Sequence, residues 1–307
     1  MKTTMKFTCA VFAIVTLAIG ALPANGAPGD LFASINGAGG NTAGFIYEYT
    51  PNGIQNTFAP SLSRPRGVAF GNGGTLFVAN TTFDNVNGTF QGSIVKISQD
   101  GSQNLFATIG GNVFLEGLAF DDAGNLFLVA IDNNSPVSAS TIYKITPRGV
   151  LSTFGSLPGQ GLGLAFDKLG NLLAADFSDQ TIYKFTPDGT RTVFAGPSAF
   201  QTDGGPVGLA FDALGNLFAS EGHDPTVRIL KFTNGVESEF ATGVQTRGLA
   251  FDKAGNLFGA DLTAGEILRF TSDGSETVFA SGIPTPEFLA FYLLPTPPPH
   301  PTPPPRP

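Results

Sequence analysis

The sequence predicts an all-β chain in which one four-stranded unit repeats around a closed ring. Three observations predict it. A Gly-Leu-Ala-Phe-like element recurs at Gly67, Gly117, Gly163, Gly208 and Gly248, with Phe288-Leu-Ala-Phe as a last copy, at steps of 50, 46, 45, 40 and 40 residues. After most copies an Asp-x-x-Gly-Asn turn introduces a short apolar run. No stretch carries the 3.6-residue apolar period of a helix. Four strand-like runs in every 40–50 residues mark one blade of a β-propeller, and the copies count six blades of four antiparallel strands.

The elements follow in a constant order. The first strand of a blade is the Gly-Leu-Ala-Phe segment, whose small residues suit the crowded axis. The second follows Asp-x-x-Gly-Asn, as in Leu126-Phe-Leu-Val-Ala130 and Leu257-Phe-Gly-Ala260. The third alternates apolar with polar residues: Thr141-Ile-Tyr-Lys-Ile, Thr181-Ile-Tyr-Lys-Phe, Glu266-Ile-Leu-Arg-Phe. Turns such as Pro187-Asp188-Gly189 and Ser272-Asp273-Gly274 lead to a fourth, Thr192-Val-Phe-Ala195 or Thr277-Val-Phe-Ala280. Glycine in these turns supplies the positive φ that tight hairpins require.

The array begins in mid-blade. Asp30-Leu-Phe-Ala33, Phe45-Ile-Tyr-Glu-Tyr49 and Gln55-Asn-Thr-Phe-Ala59 match strands two to four, and their missing first strand is Phe288 to Phe291. The ring is therefore expected to close by one C-terminal strand joining three N-terminal ones, which pairs edges otherwise left open. The propeller is assigned to residues 27–294.

Both ends read differently. Residues 1–26 have the form of a secretory signal: Lys2 and Lys6, an apolar stretch from Phe7 to Leu22, then Ala24-Asn25-Gly26. The stretch is short for a membrane anchor, so export to the periplasm or the medium is expected, with no membrane span in the mature chain. Cys9, the single cysteine, leaves with the signal, which excludes a disulfide and a thiol nucleophile. Residues 295–307 contain nine prolines and read as an extended spacer.

Charge narrows the partners. Without the signal, 14 basic residues face 24 acidic ones, a net of about −10, and no basic patch offers a footprint for nucleic acid. A small molecule or a protein is expected at the upper face, where the first strands start and the second strands end. The chain is expected to be a monomer.

Two residue sets meet on that face. Directly before the ring of glycines stand Glu287, Arg66, Glu116, Leu162, Val207 and Arg247. Arg247, Glu287, Arg66 and Glu116 alternate in sign on four adjacent blades and are the candidate ligand-binding residues; a self-satisfied clasp for the closing blade is the competing reading. At the ends of the second strands stand Asn36, Asn80, Asp132, Asp176, Glu221 and Asp261. The acids Asp132, Asp176, Glu221 and Asp261 are candidate ligands for Ca2+ or another divalent cation, which takes oxygen donors; acceptance of loop amides is the alternative. The longest loop on this face runs from Asn80 to Gln91 and carries Phe83 and Phe90. No Gly-x-Ser-x-Gly elbow, phosphate loop or zinc motif occurs, and the propeller has one histidine, His223. No catalytic set is assembled.

The repeat, in Arg64-Pro-Arg-Gly-Val-Ala-Phe with Gly74-Thr-Leu-Phe-Val-Ala-Asn80 and in Gly248-Leu-Ala-Phe-Asp with Gly255-Asn-Leu-Phe-Gly-Ala-Asp261, resembles the NHL repeat across residues 29–293. It is similar to the repeats of the gluconolactonase/senescence-marker family, whose members are calcium- or zinc-dependent lactonases and esterases. That resemblance implies metal ligands at the inner-strand starts, often Asn or Asp directly before the glycine. Arg66, Leu162, Val207 and Arg247 depart from the pattern, leaving Glu116 and Glu287. Streptogramin lyases also resemble this repeat, but their motifs are rich in Trp and use His, and this chain has no Trp. The leading expectation is a non-catalytic binding scaffold, with a divergent metal-dependent lactonase or esterase as the alternative.

Overall fold

The computed structural model describes residues 26–37, 43–200, 204–222 and 227–293. The expected signal, except for Gly26, the proline-rich run 295–307 and His223 lie outside these residues. The described strands form six four-stranded antiparallel sheets around one axis. Blade I joins Leu31–Ile35, Gly44–Tyr49 and Gln55–Leu62 to the last strand, Pro286–Phe291. Blades II to VI follow in chain order over residues 65–109, 113–157, 161–195, 205–242 and 246–281. No helix of the described residues is long and apolar enough to cross a membrane.

The ring closes as the repeat requires. Leu31 pairs with Phe291, Phe32 with Ala290 and Ala33 with Leu289. The Ser34 hydroxyl accepts from the Phe288 amide at 3.0 Å and donates to the Phe288 carbonyl at 3.4 Å. Beyond the strand, the Tyr292 amide donates to Asp30 O at 2.9 Å and the Gly29 amide to Tyr292 O at 2.7 Å.

Phenylalanine fills the wedges between blades. The second-strand ring of one blade meets, edge on, the fourth-strand ring of its own blade and the inner-strand ring of the next. Phe77 lies 5.1 Å from Phe106 and 5.0 Å from Phe120. Phe127 with Phe154 and Phe166, Phe218 with Phe240 and Phe251, Phe258 with Phe279 and Phe291, and Phe32 with Phe58 and Phe70 repeat the motif. Edge-to-face pairs add roughly 0.5–1.5 kcal/mol each beyond the apolar area they bury. In blade IV, Leu173 takes the second-strand place.

At the axis the inner strands run nearly in contact. A Cβ on Gly67, Gly117, Gly163 or Gly208 would overlap the carbonyl of Glu116, Leu162, Val207 or Arg247 in the following blade, so only glycine fits. The sixth place holds Phe288, whose buried ring joins Phe32 and Val68 in the core between blades I and II.

The Asp-x-x-Gly-Asn turns are structural. In each of four turns the Asp side chain accepts both the amide and the side-chain nitrogen of Asn four residues on, as in Asp121 with Asn125 at 2.8 and 2.7 Å.

One element differs from the sequence expectation. The segment from Asn80 to Gln91 is largely not a loop: the strand Leu76–Asp84 pairs through to Thr89–Ile97, with Phe83 opposite Phe90. Asp84 makes this possible by capping the turn, its Oδ1 accepting the Val86 amide at 2.8 Å and the Asn87 amide at 3.2 Å.

Candidate functional site

The residues before the ring glycines do not precede their strands. They lie inside them, at a β-bulge repeated in every blade. In blade II, Pro65 pairs with Asn80 and Val68 with Val78, so Arg66 and Gly67 together oppose Ala79. The same two-against-one step holds Glu116, Leu162, Val207, Arg247 and Glu287. A bulge bends its strand and re-aims the extra side chain. Here it brings one side chain per blade to the mouth of the channel.

Four of these side chains form a closed quartet. Arg66 Nη1 lies 2.9 Å from Glu116 Oε1 and 3.7 Å from Glu287 Oε2. Arg247 Nε lies 2.8 Å from Glu287 Oε2, and Arg247 Nη2 reaches Glu116 Oε2 at 3.6 Å. Each guanidinium therefore touches both carboxylates. The acids form the floor, with side chains 2% and 3% exposed for Glu116 and Glu287, and the arginines cover them at 15% and 22% for Arg66 and Arg247. The Arg66 guanidinium also stacks 4.8 Å from the Phe114 ring centroid, and Asn36 Nδ2 donates weakly to Glu287 Oε1 at 3.4 Å.

Two forces oppose each other at these groups. Burial pushes the Glu116 carboxyl up, and Arg66 and Arg247 pull it back part of the way. Burial pulls the Arg66 guanidinium down, and Glu116 and Glu287 more than offset it, leaving it firmly charged. The cluster is neutral as a whole and holds blades VI, I, II and III together.

Blades IV and V present Leu162 and Val207 to the same mouth. Beside them opens a cavity of about 150 Å³, walled by these two residues with Phe177 and Leu262 and edged by Thr246 and Arg247. Four of the six blades thus give the mouth an ionic side, and the other two give it an apolar one.

The second residue set does not converge. Asp176 Oδ2 accepts the Gly159 amide at 2.8 Å and its Oδ1 the Asp179 amide at 3.1 Å. Asp261 Oδ1 accepts from Thr263 and Ala264 at 2.9 and 2.8 Å, and Asp132 Oδ1 from Asn134 at 2.9 Å. Glu221 pairs with Arg228 of the neighbouring strand at 2.5 Å. Register separates them as well: Asp176, Glu221 and Asp261 oppose residues two before their ring glycines, whereas Asp132 opposes Val113, four before Gly117. Among the described residues no group of three or more His, Cys, Asp or Glu is disposed to hold a metal ion. Each of these donors is engaged with a backbone amide or a guanidinium.

A further feature escaped the sequence reading. The Arg64 guanidinium lies 5.1 Å from the Phe90 centroid and 6.0 Å from that of Phe83. Phe83 and Phe90 are 5.0 Å apart, and Phe90 meets Phe114 at 5.4 Å. This aromatic and cationic file links the protruding hairpin of blade II to Arg66. Phe83, Phe90 and the Arg-Pro-Arg spacing of Arg64 and Arg66 stand in the sequence, but nothing there joins them.

No protein-family model and no curated protein matches the chain. Solved structures match it in fold. Virginiamycin B lyase from Staphylococcus aureus, in a catalytically inactive histidine variant with quinupristin, is 15% identical over 85% of this chain and 92% of its own, with a TM-score of 0.60. A protein of unknown function from Bacteroides caccae is 14% identical over 86% and 98%, TM-score 0.59. A protein provisionally assigned as a gluconolactonase is 16% identical over 84% and 89%, TM-score 0.56. At such identities the likeness speaks to architecture alone: the chain is a six-bladed β-propeller similar in fold to virginiamycin B lyase and to gluconolactonase-like propellers.

Proposed function

We propose that the protein is exported and acts as a non-catalytic binding scaffold through its upper face. The observation that carries this reading is the divided channel mouth. Its charges are spent on one another, while the adjoining apolar cavity of about 150 Å³ is walled by Leu162, Val207, Phe177 and Leu262. Pockets for whole drug-sized ligands measure about 300–1,000 Å³. This one suits a single apolar group, such as one side chain of a peptide or the tail of a small molecule, with an acceptor beside it facing the Arg247 guanidinium. The signal-like start supports export to the periplasm or the medium, the acidic balance argues against nucleic acid, and the closed ring favours a monomer. The test is methyl NMR of the purified mature chain titrated with N-acyl amino acids and short aliphatic carboxylates. The Leu162 and Val207 methyls are expected to shift, and Val207→Phe to abolish the response. Methyls that ignore every probe would overturn the reading.

A second reading is a divergent metal-dependent lactonase or esterase. It is favoured by one observation: the buried Oε2 atoms of Glu116 and Glu287 face the guanidiniums without a well-formed hydrogen bond. Calcium-dependent hydrolysis of a lactone or ester, lost in Glu116→Gln, would establish it over the first.

A further inference from the structure

A second buried acid pair lies at the opposite end of blade I from the channel mouth. Asp30 and Glu48 are 4% and 2% exposed, and neither takes part in any ion pair of the described residues. Burial, and then the neighbouring Asp30 charge, push the Glu48 carboxyl up. Its Oε1 is buried without a partner. Two carboxyls brought together out of water, with no cation beside them, cannot both ionise without large cost.

The chain itself brings a nitrogen to this place. The Ala27 amide donates to Asp30 Oδ2 at 2.8 Å, and the Asp30 amide donates back to Ala27 O at 3.0 Å. Ala27 is thus held by both of its backbone polar groups. The residue before it is also close: a Cβ on Gly26 would lie 3.8 Å from Glu48 Oε1 and 3.0 Å from the Phe32 ring. The small-residue processing signal Ala24-Asn25-Gly26 ends at this same peptide bond.

We propose that Asp30 and Glu48 form the seat for the α-ammonium created when the chain is cut between Gly26 and Ala27. This rests on the export reading above and adds a structural consequence to it. Hydrolysis of the Gly26–Ala27 amide by a processing peptidase consumes one water and leaves a carboxylate on Gly26 and an ammonium on Ala27. The nitrogen that already donates to Asp30 then carries a positive charge and three protons, and Gly26, the residue close to Glu48, is gone. The buried pair gains its missing counter-charge, in charge-assisted hydrogen bonds. Asp30 O also accepts from Tyr292 beyond the closing strand, so the ring would be tightened where it shuts, and only after processing.

The experiment compares two chains of residues 27–307, one with a free Ala27 amine and one acetylated there. Both are made independently of secretion, so a failure of the export reading, checked separately by N-terminal sequencing of the exported protein, leaves this test intact. At pH 6–7 the free-amine chain is expected to melt about 2–4 °C higher. The gap should close above about pH 10, as the amine loses its proton, and should vanish in Asp30→Asn/Glu48→Gln. Equal melting temperatures, or a gap that persists in the double variant, would overturn the proposal. If that variant does not fold, titration of the 15N-labelled Ala27 amine decides. An amine that titrates at least one unit above the usual value of about 8 supports the seat, and an unshifted one refutes it.

Discussion

Arg247 reaches across the channel mouth to Glu116, 3.6 Å between Nη2 and Oε2, from a blade three places away around the ring of six. Alternation of sign along adjacent blades suggested contacts between neighbours only. The observed contact lies across the diameter, so every charge in the quartet has two partners. Removing one acid leaves buried positive charge uncompensated. Glu116→Leu is expected to destabilise by about 3–5 kcal/mol in urea unfolding. A double-mutant cycle of Glu116→Ala with Arg247→Ala should give a coupling of roughly 0.5–3 kcal/mol; additive effects would show that the diametric contact contributes nothing.

The ring glycines set how close the blades approach. Gly208 is the most confined, since a Cβ there would overlap the Arg247 carbonyl. Gly208→Ala should therefore cost about 2–4 kcal/mol by overpacking and shift the Arg247 side chain. Gly215, with open space around it but φ of +92°, should lose only about 1–2 kcal/mol on the same change, for the positive φ alone. Thermal melts of the two variants check the order.

The Phe triads predict where the core is most sensitive. Phe127 contacts Phe154 and Phe166 at 4.9 and 5.0 Å and is 3% exposed. Phe127→Ala is expected to cost about 3–5 kcal/mol. Val193, 61% exposed on an outer strand, should change stability by less than about 0.5 kcal/mol when replaced by Thr.

Glu48 makes stability depend on pH in a chain whose Ala27 nitrogen is still an amide. Burial, and then the Asp30 charge, raise its carboxyl from 4.5 to about 7. Between these values the folded chain keeps a proton that the unfolded chain has released. Stability therefore falls as pH rises from about 5 to 7, by up to about 3 kcal/mol. Glu48→Gln should flatten this slope in unfolding curves taken across that range, and a slope that survives the substitution would assign it to another group.

Closure by the last strand gives a further expectation. A chain ending at residue 285 lacks Pro286–Phe291, opens the pairing edge of Leu31–Ile35 and uncovers the side of blade VI where Phe258 meets Phe291. It should lose cooperative unfolding and associate through the open edge, which light scattering and calorimetry would detect.

The repeat unit, the six blades, the 3+1 closure and the turn chemistry could all be read from the sequence alone. Each depends on local information: a strand-length run, an Asp-x-x-Gly-Asn turn, a recurrence every 40–50 residues. The identity of the mouth residues was legible too, because the ring glycine that follows them repeats. What they do was not. Arg247 and Glu116 stand 131 positions apart in the chain, and only the bulge in each inner strand, with the diameter of the closed ring, brings them together. Asp132 and Asp176 looked equivalent in sequence, and a two-residue difference in ladder register parts them. The tertiary structure alone decided which carboxylates meet guanidiniums, which meet amides, and which pair, Asp30 with Glu48, lies buried without a cation. Strands and turns follow from short-range sterics and hydrogen bonding, whereas the balance of a buried charge depends on every group that the fold packs around it.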